Sequence, residues 1–297
     1  DGLSGVIDSR TFTGTYSVAA NGRGTLVITV PGVGSFNFVL YAASPDTLIV
    51  SSSDDLVAGK PMRAGYALRQ SAGPFSAATL NGNYVFDLAG RNTASSAIAT
   101  VGRIASAGTG NLTALYDRND NYVMTPVTGQ SIAATYTIDA NGRGLLDATT
   151  MLRAVFYMVS ADKALIMEAP NARLQVGTLE RQVGATYTTA QLVGSFAGFT
   201  SSPALLTSLT VTGINRYDGQ GNVPSTLDIA TPCTLATNAA AFANVSVTPD
   251  GRVDVRFGGA QHAAGYLVTP VRYVMVMQRP SSSLSCDEVV HYVTTEQ

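Results

Sequence analysis

Tyr136-Thr137-Ile138-Asp139-Ala140-Asn141-Gly142-Arg143-Gly144-Leu145-Leu146 decides the fold of this chain, because the same text returns in two other places. Its relatives are Tyr16-Ser17-Val18-Ala19-Ala20-Asn21-Gly22-Arg23-Gly24-Thr25-Leu26 and Val245-Ser246-Val247-Thr248-Pro249-Asp250-Gly251-Arg252-Val253. In each, an alternating apolar and polar run reaches Asn-Gly or Asp-Gly and a second run follows, the strongest short-range signal for a β-hairpin. Asn21-Gly22, Asn141-Gly142 and Asp250-Gly251 are therefore the turn-defining pairs. Such a pair supplies the positive φ angles of a two-residue type I′ turn and needs no ligand to explain it.

Text flanking the hairpins repeats as well. Leu80-Asn81-Gly82-Asn83-Tyr84 returns as Leu192-Val193-Gly194-Ser195-Phe196, Gly110-Asn111-Leu112 as Gly221-Asn222-Val223, and Leu68-Arg69-Gln70 as Glu180-Arg181-Gln182. A period of roughly 110 to 120 residues is far longer than the 20 to 50 of solenoids, so each repeat is expected to be a domain. The boundaries fall at 1-71, 72-185 and 186-297, with the Gly73-Pro74 stretch marking the first linker. Helical periodicity is absent. About eight strands are expected in each of the last two repeats and about six in the first, near 2-8, 11-19, 24-31, 35-43, 46-53 and 63-70. The expected class is all-β: tandem antiparallel up-and-down β-barrel-like domains, the first one incomplete.

Strand faces follow from alternation. Phe12, Gly14, Tyr16 and Val18 oppose Thr11, Thr13, Thr15 and Ser17, the pattern of a half-buried strand. A polar outer face of this kind argues against a transmembrane barrel. Phe12, Tyr16, Phe36, Phe38, Tyr136 and Phe156 are expected to point inward and fill the barrels. Val155-Phe156-Tyr157-Met158-Val159 and Tyr273-Val274-Met275-Val276-Met277 are instead apolar on both faces, so a neighbouring repeat or subunit should cover their outside. Connections 54-62, 119-130, 231-239 and 280-287 are the long ones, and the end that carries them is where a functional surface is expected.

Composition narrows the partners. Charged residues make up 13% of the chain against a usual ~25%, Trp is absent, and the net charge is −2. No Lys/Arg cluster offers a footprint for nucleic acid, and no apolar run approaches the ~20 residues of a membrane helix. A hydroxyl-rich, weakly charged surface points to an extracellular or cell-surface protein whose leader has already been removed.

Candidate chemistry is sparse. His262 and His291 lie on expected strands of the third repeat, where a packing or surface role outweighs a hydrolytic one. Asp117-Arg118-Asn119-Asp120-Asn121 and Asp218-Gly219-Gln220-Gly221-Asn222 gather oxygen ligands but lack the distal Glu of a calcium loop, and read better as turn chemistry. Cys233 and Cys286 follow the third and seventh strands of the last repeat, at one end of an up-and-down barrel, which permits a disulfide in an exported chain. Neither a cofactor nor a metal is implied, and no cluster names a reaction.

Gly82-Asn83-Tyr84 on a first strand, with Arg181 on the closing strand of the same repeat, resembles the Gly-x-Trp and closing Arg of lipocalin-like (calycin) barrels, with Tyr in place of Trp. The full pattern, with its Ala-Asn-Gly-Arg-Gly hairpins, is similar to tandem lipocalin-like β-barrel repeats of large secreted bacterial surface proteins. That resemblance implies export and a barrel, and it carries no catalytic residues.

Two functional readings follow. The first is a non-enzymatic structural or assembly protein, a surface fibre or filament subunit that self-associates through sheet edges or apolar strands. The alternative is a binding protein for a small apolar ligand inside a barrel, which an apolar void of several hundred Å³ would favour. The start of the chain bears on the first reading: residues 1-8 align with 110-117, so the first repeat opens at its third strand, and Leu3, Val6 and Ile7 become the candidate assembly strand, completed by β-addition from a neighbour.

Overall fold

In the computed structural model the described residues are 10–54, 63–92, 97–120, 123–148, 153–168, 173–184, 186–200, 210–230, 235–257, 260–278 and 291–296. Their regular elements are strands, apart from two short 3-10 turns at Ala77–Thr79 and Thr189–Gln191. Ile7–Ala72 forms one compact unit, and Gly73–Gln297 carries two barrels in another.

The N-terminal unit is an open antiparallel sheet of β1 (Thr13–Val18), β2 (Arg23–Val30), β3 (Gly34–Ser44), β4 (Thr47–Ser52) and β5 (Ala64–Leu68), in sequence order. Leu3, Val6 and Ile7 lie outside the described residues. Of the expected inward residues, Phe12 and Tyr16 are 61% and 77% exposed. They were expected in a filled interior, but a five-stranded open sheet brings no opposite wall to cover them. Among the described hydrophobic residues of this unit, Leu40 alone is buried.

The second barrel runs through β6 (Asn81–Asn92), β7 (Ala97–Ala107), β8 (Asn111–Asp120), β9 (Val123–Ile138), β10 (Arg143–Asp147), β11 (Arg153–Ser160), β12 (Lys163–Glu168) and β13 (Arg173–Arg181), with β13 closing onto β6. The third repeats it with β14 (Val193–Thr200), β15 (Thr210–Asp218), β16 (Asn222–Ala230), β17 (Leu235–Val247), β18 (Arg252–Phe257), β19 (Ala260–Thr269), β20 (Arg272–Met277) and β21 (His291–Glu296), closed between β21 and β14. Closure leaves no free edge in either barrel. One expected long connection is absent: β8 and β9 continue as a ladder through Asp120 opposite Val123, so most of 119-130 is strand. Register shifts in that ladder admit Pro126, since a bulge tolerates the missing N–H.

All three repeated hairpins are present, but the turn type differs from the expected I′. Only glycine takes the left-handed conformation, at φ 80° in Gly22, 86° in Gly142 and 88° in Gly251. Asn141 stays at negative φ, and its Oδ1 accepts a hydrogen bond from the Arg143 N–H at 3.0 Å. Gly142 N–H closes on Asp139 O at 2.8 Å. This is a three-residue loop, a type I turn followed by a glycine bulge. Gly142→Val forces a β-branched residue into that conformation and is expected to cost about 1–3 kcal/mol, read as a lower denaturant midpoint than the parent's. An unchanged midpoint overturns the turn assignment.

The second barrel is filled. Tyr84, Phe86, Tyr116, Tyr136 and Phe156 are buried in its core, and the rings of Phe86 and Phe156 lie against Gly102 and Gly144, where an added Cβ would stand 2.4 and 2.2 Å from ring carbons. Arg181 caps the tight end: its guanidinium stacks 4.9 Å from the Tyr84 ring centroid and donates to the Tyr84 hydroxyl at 2.8 Å and to Asn81 O at 2.6 Å. Each linker enters the next barrel against its hairpin turn, by Phe75 N–H to Ala140 O at 3.1 Å and Tyr187 N–H to Pro249 O at 3.0 Å.

Candidate functional site

Barrel interiors are where the two repeats diverge. Ladder register matches Phe86 with Gly198, Tyr116 with Leu227 and Phe156 with Gly265. Three large rings of the second barrel are thus missing from the third. The result is a cavity of about 210 Å³, lined mainly by Val211, Val223, Leu227, Ile229, Val255 and Met277. Its polar lining is paired internally: Ser225 Oγ donates to Asn215 Oδ1 at 2.7 Å, and the Tyr217 and Tyr273 hydroxyls bond to each other. A site with this lining accepts apolar surface.

The barrel end opposite Arg181 diverges just as sharply. Inside the second barrel, Glu168 is fully buried and accepts from Arg118 Nη2 at 3.1 Å, Arg173 Nε at 3.3 Å and the Gln175 amide. Arg118 Nε donates to Thr100 Oγ1 at 2.9 Å, and Thr100 Oγ1 to Gln175 Oε1 at 3.0 Å. Burial pushes the Arg118 guanidinium below its usual range, and the Glu168 charge opposes that shift. In the third barrel the positions of Thr100, Arg118 and Glu168 hold Val211, Ile229 and Met277, all lining the cavity. A polar stopper has been exchanged for an apolar mouth. The buried Tyr116 hydroxyl has no hydrogen-bond partner, the one such side-chain atom among the described residues.

A second built site joins the barrels. Asp117 points outward from β8 and is fully buried by the third barrel. Arg252 Nη2 and Nε donate to it at 2.7 and 2.9 Å, the Tyr266 hydroxyl at 2.8 Å, Gln278 Nε2 at 2.9 Å, and its own barrel's Gly129 N–H at 2.8 Å. Around this point Val85, Ala97, Ala99 and Val101 pack on Tyr266, Val268, Val274 and Val276. The doubly apolar Tyr273–Met277 strand is therefore covered by a neighbouring repeat, as its pattern required. Gln182 bolts the linker to the same seam, donating to Leu267 O at 2.8 Å and Asp250 O at 3.1 Å. Burial works to lower the Arg252 pKa, but its hydrogen bonds and attraction to Asp117 outweigh this and hold it above the usual range.

Sequence reasoning missed Asp117 as a joint, although the repeat alignment contained the signal: 117 falls opposite 228 and 8, and all three are Asp. Cys233, Cys286, Leu3, Val6 and Ile7 lie outside the described residues, and the side chains of His262 and His291 are likewise not described. Asp218 serves its turn, its carboxylate accepting from Gln220 N–H at 2.7 Å and from the Asn222 backbone and side-chain N–H groups at 3.0 and 2.6 Å. The described part of the oxygen-rich run, 117–120, is split between faces, Asp117 into the joint and Asp120 accepting from the Asn92 side-chain amide at 2.7 Å. Among the described residues no three His, Cys, Asp or Glu side chains gather as a metal site, and no helix is long and apolar enough to cross a membrane.

The joint is expected to weaken at high pH. Burial first, then the Asp117 charge, push the Tyr266 phenol far above its ordinary range, and burial also raises Tyr84, Tyr116 and Tyr187. A raised folded pKa gives stability that is complete below the unfolded value of ~10 and is lost as pH rises beyond it. Denaturant unfolding across a pH series is expected to show that alkaline loss, with a shallower slope in Tyr266→Phe. Equal slopes in the two proteins would remove Tyr266 from this account.

Compared with known proteins, the chain matches no family model, and no curated protein is significantly similar to it.

Proposed function

We propose that the third barrel is a non-enzymatic binding vessel for a small apolar molecule, carried on a rigid pair of barrels in an exported, surface-associated repeat protein. The supporting observation is the concerted exchange inside the repeat: three rings and a buried ion pair in the second barrel give way to glycines and aliphatic side chains around an apolar cavity of about 210 Å³ in the third. An apolar cavity of ~150 Å³ already holds benzene, so a substituted monocyclic guest suits this space. The low charge of the chain and the similarity of its repeats to lipocalin-like barrels of secreted surface proteins support export.

Calorimetric titration with isobutylbenzene tests the reading. The parent is expected to bind, and at a hundredfold excess over the dissociation constant the guest stabilises the fold by about 2.7 kcal/mol. Ala243→Leu, which places a larger side chain on the cavity wall, is expected to abolish binding while leaving the barrel folded. Equal binding by both proteins places the guest elsewhere.

A second reading, surface assembly, has its own observation. The N-terminal sheet ends in β1 and β5 with no further described strand on either edge, and it exposes Phe12 and Tyr16. Open edges and bare apolar side chains favour pairing with another chain. Electron microscopy of purified native material distinguishes filaments or oligomers from dispersed monomers.

A further inference from the structure

The joint between the second and third barrels has unused counterparts at the two outer repeats. Asp228 occupies on β16 the place of Asp117 on β8: Asp117 pairs across the ladder with Val101, and Asp228 with Thr212. Both aspartates sit beside a register shift in the following ladder. In both, a left-handed residue within the next strand donates its N–H to Oδ1 at 2.8 Å, Gly129 at φ 56° and Asn238 at φ 57°. Asn238 is the only non-glycine residue with positive φ among those described. A backbone that accepts this strain to hold a carboxylate has built the acceptor twice. Asp117 is buried under Arg252 and Tyr266, whereas Asp228 is exposed and has no ion-pair partner among the described residues.

The donor half is also repeated. Arg252 stands opposite Tyr266 in its ladder, Arg143 opposite Tyr157, and Arg23 opposite Tyr41. On the N-terminal sheet this row continues through Ile49 to Tyr66, and Tyr41, Ile49 and Tyr66 are all about half exposed. The second barrel is a poorer seat, because Val155 beside Tyr157 is already buried.

We propose that a second copy of this chain occupies that face: Asp228 of one molecule enters the Arg23–Tyr41 pair of the next, reproducing the internal joint between molecules. This inference rests on the assembly reading above and names its contact. Phe199 and Ile214 bring apolar surface beside Asp228, while Thr212 stands where the second barrel has Val101, so the contact is less apolar than its template and reversible. Acceptor and donor belong to different repeats, Asp228 to the third and Arg23 to the first. A contact of this heterologous kind propagates head to tail rather than closing as a pair.

Sedimentation velocity over a concentration series tests the proposal on the full chain. The parent is expected to associate reversibly into dimers and longer species. Asp228→Lys and Arg23→Glu each weaken this by about tenfold or more, because each places like charges in the joint. Both positions are exposed, and an unchanged melting temperature confirms that each variant is folded. Mixing the two variants is the decisive arm: Asp228 of one meets the intact Arg23–Tyr41 pair of the other, and the introduced lysine faces the introduced glutamate with opposite charge, so association returns in the mixture although it is weakened in each variant alone. Association that ignores both substitutions overturns this joint and leaves assembly by strand addition standing. A parent that remains monomeric throughout overturns the joint and the assembly reading together.

Discussion

Asp117→Ala is expected to destabilise the two-barrel unit by about 3–5 kcal/mol, or roughly 10 °C in melting temperature for a unit of this size. The cost lies in what the substitution leaves behind. Arg252, Tyr266 and Gln278 all donate to a carboxylate that water does not reach, and without it Arg252 keeps only Asp254 as an acidic partner among the described residues. A buried donor without an acceptor loses its hydration and regains nothing. Asp117→Asn keeps the shape and one acceptor oxygen, so its loss should be smaller. Unfolding followed by circular dichroism should show one transition in the parent and a broadened or split transition in the alanine variant, as the third barrel loses its hold on the second. A variant that melts like the parent places the adhesion in the apolar seam around Val101 and Val274 instead.

Glu168→Ala is expected to cost a similar ~3–5 kcal/mol inside the second barrel, because it removes the carboxylate paired with the buried Arg118 guanidinium. The third barrel supplies the control. Replacing the buried members together, Thr100→Val, Arg118→Ile, Glu168→Met and Gln175→Val, removes the two buried charges and their donors at once, leaves only the partly exposed Arg173, and installs side chains of the kind that barrel uses. Apolar replacement of a whole buried ion-pair network is commonly neutral or stabilising. The fourfold variant is therefore expected to melt close to the parent, while the single substitution fails. If both lose stability alike, the polar network has a structural value that its third-barrel counterpart does without.

Legible in the sequence was whatever depends on neighbours along the chain. Hairpins at Gly22, Gly142 and Gly251, the alternation of β-strands, the all-β class and the repeat all rest on local spacing, so they were written at short range. Even there, the choice between a two-residue turn and a type I turn with a glycine bulge turned on one φ angle at Asn141, which Asn tolerates either way. The extension of β8 and β9 through Pro126 was hidden because proline signals an interruption unless a bulge absorbs it.

The sites were decided by tertiary structure. Asp117 meets Arg252 and Gln278 across separations of 135 and 161 residues, and nothing local distinguishes an aspartate in a turn-like run from one that locks two barrels. The cavity is less visible still, since it is made of missing volume. Gly198, Leu227 and Gly265 are unremarkable one at a time, and they act together only because closure of the barrel brings their strands around one axis. Pattern along a strand determines which face turns inward; what fills the interior depends on eight strands at once, and that sum exists only in the folded chain.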